Sequence, residues 1–229
     1  MAVPSRRAQR ERVTRLVCLD VDSTLLSVES LDFAIASTSG PGAAQRVEAI
    51  THAGMNGTMD LRTSLAARLD LAKFSRSDVA RAAVALKDKA VPGMAELLAD
   101  LRGRGDQVVA ISGGFDALLR LALRDLGFSP VAIRTNTFVW SGDRVSGFET
   151  GNPLSENGGK ALVVREFRRL TGVDTAVMVG DGITDVEAFE AGATERFIGF
   201  GGVVRRDAVA ARAPEFAANL DALRAALLD

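Results

Sequence analysis

A chain of 229 residues, 47% hydrophobic and 25% charged, has room for one large domain or for one domain with a second inserted into it. Its net charge of −1 gives no bulk attraction to nucleic acid. One cysteine excludes an intrachain disulfide framework and a cysteine-built zinc site, and no apolar run approaches the roughly 18 residues of a membrane span.

The first fifteen residues, "MAVPSRRAQRERVTR", are basic and lack the apolar core and small-residue cleavage site of a secretory signal. Residues 1–14 read as a mobile or helical leader on a cytoplasmic protein, with a transit peptide as the alternative. "RLVCLDV" (15–21) is a near-continuous apolar run, as expected of a strand buried on both faces, and Cys18 within it reads as a small core residue. From 31 to 89 the pattern is helical, through "DFAIASTS", "AAQRVEAITHAG", "MDLRTSLAARLDLAKF" and "SRSDVARAAVALKDKA", until "VPG" (91–93) marks the return to strand–helix alternation. Helices are predicted over 93–105, 115–127 and 160–172, each closed by glycine. Strands are predicted at "QVVAIS" (107–112), "TAVMVG" (175–180) and "RFIGF" (196–200). "TNTFVWSGDRVSGFE" (135–149) reads as a β-hairpin flap around Ser141-Gly142-Asp143, with Trp140 packing it. The expected fold is α/β: a Rossmann-like, doubly wound parallel sheet with an inserted helical cap and a hairpin flap. Its domains would be a core of 1–30 plus 90–229 and a cap of 31–89.

Ligands in such folds bind beyond the carboxyl ends of the strands, and the chemistry-bearing residues fall there. Asp20 and Asp22 end the first strand, Ser112-Gly113-Gly114 the next, and Gly180-Asp181-Gly182 with Asp185 the "TAVMV" strand. Lys160 opens a helix after Gly158 and Gly159. Clustered carboxylates repel, and a divalent cation resolves the conflict. Oxygen donors alone suit magnesium, which bridges carboxylates and phosphate. Lys160 and the amides of Gly113 and Gly114 could hold an anion beside it. The sum is a phosphoryl site: Asp20 as nucleophile, Asp22 as general acid and then base, and metal and Lys160 neutralising the transferring group.

Each motif alone has an ordinary reading. Asp20 and Asp22 could cap a helix, Ser112-Gly113-Gly114 could be a plain strand-to-helix turn, Lys160 could lie on the surface, and Asp185 could serve a helix dipole. The lysine loop is no P-loop, since Leu154 stands at the first glycine and Ala161 follows Lys160. "GDGITD" puts Asp185 where a dinucleotide fingerprint needs its third glycine, and Cys18 lacks the arginine loop of a cysteine phosphatase. His52 reads as a helix residue without catalytic duty.

The ordered set Asp20-Val21-Asp22-Ser23-Thr24, Ser112, Lys160 and Gly180-Asp181-Gly182-Ile183-Thr184-Asp185 resembles the phosphatases of the haloacid dehalogenase superfamily. "DVDSTLLSVES", "ITHAGMNGTMDLRTSLAARL", "ISGGFD", "ENGGKA", "VGDGITDVEAF" and "FIGFGG" extend the likeness to the phosphoserine phosphatase family over roughly 15–225. The resemblance implies catalytic Asp20, Asp22, Ser112 and Lys160. It implies one Mg²⁺ per site on Asp20, Asp22 and Asp181, supported by Asp185. Substrate would be held by Glu29 and Arg68, on its amino and carboxylate groups, with Ser112, Gly113, Gly114, Lys160 and Thr184. The implied activity is hydrolysis of O-phospho-L-serine, the last step of serine biosynthesis, by a monomer or homodimer without nucleic-acid or membrane partner. Leu61, where the family often has phenylalanine, and Thr137-Phe138, where it often has Arg-Leu, depart from the pattern. The competing readings are a related phosphatase or phosphotransferase on another small phosphorylated metabolite, and a non-catalytic binder of phospho-amino acids. The second aspartate sets the chain apart from the superfamily's dehalogenases and ATPases.

Overall fold

The computed structural model describes residues 15–39 and 41–229, and the leader expected over 1–14 lies outside them. Six parallel strands form one sheet: β1 (Leu16–Leu19), β2 (Gln107–Phe115), β3 (Ile133–Asn136), β6 (Ala176–Gly180), β7 (Arg196–Phe200) and β8 (Glu215–Ala217). Their order is β3-β2-β1-β6-β7-β8. The chain winds outward from β1 to one side, then returns and winds to the other. The order therefore reverses between β1 and β6, which opens a crevice at their carboxyl ends. β-branched residues such as Val17, Val108, Val109, Ile111, Val177 and Val179 are buried throughout these strands, as a sheet covered on both faces requires. No helix among the described residues is long and apolar enough to cross a membrane.

Five α-helices separate β1 from β2, and the first four are α1 (Ser30–Ser39), α2 (Pro41–Met55), α3 (Leu61–Leu71) and α4 (Arg76–Leu86). Asp60 caps α3 by accepting from Thr63 N, and Ser75 and Asp78 form a reciprocal capping box on α4. The sheet is flanked by α5 (Met94–Gly103), α6 (Asp116–Asp125), α7 (Gly159–Thr171), α8 (Ile183–Glu190), the four-residue α9 (Asp207–Ala210) and α10 (Leu220–Leu228). Gly158 and Gly172, at φ 74° and 68°, frame α7 in the left-handed conformation that glycine adopts without strain.

The segment expected as a hairpin divides. Thr135 and Asn136 belong to β3, and the hairpin proper is β4 (Phe138–Ser141) with β5 (Arg144–Phe148). Asn136 fixes the split: its Nδ2 donates to Gly113 O and Leu154 O, each at 2.9 Å, and ties β3 to the end of β2. The hairpin stacks Phe138 on Phe115 at 4.0 Å between ring centroids. It also grips the α3–α4 connection, where Arg76 N donates to Asp143 O and Val145 N to Phe74 O, both at 3.0 Å. The Arg76 guanidinium sits 4.2 Å from the Trp140 ring centroid.

Candidate active site

β1 stops at Leu19, and Asp20 and Asp22 lie on the turn beyond it rather than within the strand. Asp20 N still donates to Val179 O of β6 at 2.9 Å, so the first carboxylate stays anchored at the switch point. The chain then coils tightly: the amides of Thr24, Leu25 and Leu26 all converge on Val21 O. Ser23 takes up the curvature at φ 53°, unusual outside glycine.

The buried Lys160, on the first turn of α7, joins the end of β1 to the first turn of α8. Its Nζ donates to Asp20 Oδ1 and Asp185 Oδ1, each at 2.6 Å. Burial works against the ammonium, but the charges of Asp185 and Asp20 outweigh it and hold its proton above the ordinary lysine range. Asp185 Oδ2 accepts from Gly182 N at 3.1 Å at the start of α8. Only glycine fits at position 180, where a Cβ would stand 2.2 Å from Asp185 Oδ2. On the β2 side, Gly114 N donates to Ser112 Oγ at 2.9 Å, and a Cβ on Gly114 would meet Asp22 Oδ2 at 3.0 Å.

Asp20, Asp22, Ser112, Gly113, Gly114, Lys160, Thr184, Asp185 and Arg68 line one pocket, whose apolar wall is Leu31, Met55, Leu61, Leu65 and Phe115. Two expected residues sit apart from it. Asp181 is buried behind the pocket, its Oδ1 accepting from Thr24 Oγ1 at 3.2 Å and its Oδ2 from Arg206 Nε at 2.8 Å. Glu29 lines a neighbouring groove with Val28 and Phe33. Its Oε1 accepts from Ser23 Oγ at 2.8 Å and from Arg206 Nη2 at 2.9 Å, while its Oε2 is buried without a partner. Arg68 stays in the pocket, with Nη1 3.4 Å from both Asp32 Oδ1 and Thr51 Oγ1.

Arg206, absent from the sequence expectations, bridges Asp181 and Glu29 and is buried. In "VVRRDAV" it is indistinguishable from Arg205, which is exposed and pairs with Asp207. Only its place just beyond the carboxyl end of β7 hinted at the site.

Asp20, Asp181 and Asp185 each offer an oxygen within 4.8 Å of the others. Asp22 lies outside this trio, and both its oxygens accept from Ser30, the amide at 3.1 Å and the hydroxyl at 2.9 Å. Burial, then the charges of Glu29 and Asp20, push the Asp22 carboxyl well above the usual carboxylate range. Burial, then Glu29 and Asp20, do the same to Asp181 against the pull of Arg206. Burial, aided by the charge of Asp20, lifts Asp185 to about 7 although Lys160 pulls it down. Buried carboxylates that resist ionisation, all of them oxygen donors, fit a hard divalent cation.

In metal-free protein these carboxyls stay protonated to higher pH than in the unfolded chain, so the native state binds more protons between about pH 4 and 7 and loses stability as pH rises through that window. A cation replaces those protons, so Mg²⁺ raises the melting temperature more at pH 8 than at pH 5.5. Equal shifts at both pH values would show that the carboxylates ionise without a metal.

The family profile of haloacid dehalogenase-like hydrolases matches residues 17–190. A chloroplastic phosphoserine phosphatase of Arabidopsis thaliana is 37% identical over 204 residues, 88% of this chain and 68% of that protein. The phosphoserine phosphatase of Mus musculus is 35% identical over 195 residues, 84% of each chain. A phosphoserine phosphatase solved as a phospho-aspartyl intermediate analogue superposes with a TM-score of 0.79 at 25% identity, covering 91% of this chain and 96% of its own. The profile covers most of the chain and these relatives exceed 30% identity over most of their length, so the chain belongs to the phosphoserine phosphatase family of haloacid dehalogenase-like hydrolases.

Proposed function

We propose that the chain hydrolyses O-phospho-L-serine to L-serine and phosphate through a phosphoryl group carried on Asp20. The observation that supports this most is the joining of Asp20 and Lys160 at 2.6 Å in a pocket that also holds Asp22, Ser112 and the glycine amides. An Asp20 oxygen attacks phosphorus, and the bond from phosphorus to the serine oxygen breaks. Asp22, kept protonated by its burial, gives that oxygen its proton. As a carboxylate it then takes a proton from water, whose oxygen attacks phosphorus and releases phosphate, restoring Asp20. Lys160 and the Gly113 amide hold the phosphoryl oxygens, and Ser112, whose Oγ accepts from Gly114 N, donates its hydroxyl proton to them.

One Mg²⁺ held by Asp20 and Asp181, with Asp185 in support, would neutralise charge on the transferring group, and Asp22, outside that trio, keeps its proton for the leaving oxygen. The unpartnered Glu29 Oε2 is a free acceptor for the substrate ammonium, and Arg68 in the pocket wall can take the carboxylate. Residues 31–89 act as the cap that carries Arg68 and the apolar wall.

Phosphate release from a panel of phosphorylated metabolites, with Mg²⁺ and with chelator, tests this. Phosphoserine is expected to dominate, and chelator to abolish turnover. A flat profile across esters would retain the phosphatase but retire Glu29 and Arg68. No turnover on any ester would favour the non-catalytic binder.

A further inference from the structure

The chemistry above uses Asp181 and Glu29 but not Arg206, the arginine that ties them together. Arg206 extends a planar fork whose Nε reaches Asp181 Oδ2 at 2.8 Å and whose Nη2 reaches Glu29 Oε1 at 2.9 Å. Two anchors on two separate loops, after β6 and before α1, keep the guanidinium from swinging aside, and it is buried. We propose that Arg206 is a positioning residue that limits Asp181 to single-oxygen ligation and so tunes the site toward a small six-coordinate dication over a larger one. The proposal rests on the reading of the site as metal-dependent.

A carboxylate can grip a cation with one oxygen or with both. Magnesium keeps near-octahedral geometry and close contacts, whereas calcium takes more oxygens at longer range and accepts bidentate carboxylates. A guanidinium fixed on Oδ2 charges that side of Asp181 positively and excludes a cation from it. Oδ1 remains, turned by the hydroxyl of Thr24 at 3.2 Å. Partners that orient a ligating carboxylate are a known means of setting what a site binds. Lysine would not replace Arg206 fully, because one ammonium on a flexible stem cannot span both carboxylates as a rigid fork does.

The test is direct calorimetry of Mg²⁺ and Ca²⁺ binding to substrate-free protein, comparing the parent with Arg206→Met, Arg206→Gln and Arg206→Lys. The ratio of the Ca²⁺ to the Mg²⁺ dissociation constant is expected to fall about tenfold in Arg206→Met, with Arg206→Lys between it and the parent. If Arg206→Met does not fold by circular dichroism, Arg206→Gln is read in its place, with the same fall expected. A purely structural role would weaken both ions in parallel and leave the ratio unchanged, and that result overturns the proposal. A parent protein that binds neither ion overturns the metal-dependent reading with it, whereas an unchanged ratio in variants that bind both ions removes only the role of Arg206.

Discussion

Asp20→Asn is expected to lower phosphoserine turnover by a factor on the order of 10⁴ or more while leaving the protein folded. The substitution keeps the size and planarity of the side chain and removes its nucleophilicity. The backbone at position 20 is held by its own amide on Val179 O, a bond the change does not touch. Lys160 loses one of its two carboxylate partners but keeps Asp185. The melting temperature should therefore move by only a few degrees, by the usual scale of a partly compensated polar change. Steady-state phosphate release and a thermal melt decide it together. Turnover within tenfold of the parent, in a protein that melts normally, would remove Asp20 as the group that carries the phosphoryl.

Lys160→Met attacks the same pair from the other side and costs stability as well as rate. Methionine approximates the length of the lysine stem but leaves Asp20 and Asp185 buried without the cation they share. Breaking a buried pair from one side typically costs about 3–5 kcal/mol. Part of that is relieved when Asp185 takes up a proton: its value is about 7 beside Lys160 and moves higher without that charge, so the relief is complete at acid pH and fades as pH rises past neutral. The loss in urea-unfolding free energy should thus be larger at pH 8 than at pH 5.5, and added Mg²⁺ should recover part of it at pH 8. The rate constant kcat should drop by roughly 10²–10³, the usual effect of removing one preorganised charge from a developing anion. A variant as stable as its parent at pH 8 would mean that Lys160 does not compensate these carboxylates.

Much of this was legible in the sequence because the signals were contiguous. "QVVAIS" and "TAVMVG" are continuous apolar, β-branched runs, and the motifs at their ends follow from the strand-end rule of α/β sheets. β3 and β8 were missed because "IRTN" and "EFA" are too short and mixed to show a period. They become strands by pairing with neighbours already in place. β1 proved shorter than its apolar run suggested, since Ser23 turns the chain. Asp185 was legible as a support through its motif, but its place among the three carboxylates was not, because that depends on how closely Gly180 lets α8 approach. Arg206 was invisible because its partner Glu29 lies 177 residues away. No local pattern separates it from Arg205, and only the fold decides which arginine turns inward.

The apolar lid over the pocket sets a time scale. The cavity it leaves is about 20 Å³, room for about a single water and far too small for an amino acid with its phosphate. Entry and exit require Leu61 and Leu65 on α3 to withdraw, and the start of α3 is pinned: Leu61 N donates to Asn157 Oδ1 at 2.9 Å, and Arg62 Nη2 to Thr150 O at 2.7 Å. The connection beyond α3 is clasped by the hairpin through Phe74 and Arg76. If the chain hydrolyses phosphoserine as proposed, its products leave only when these bonds let go, and product release rather than chemistry would then set the turnover rate.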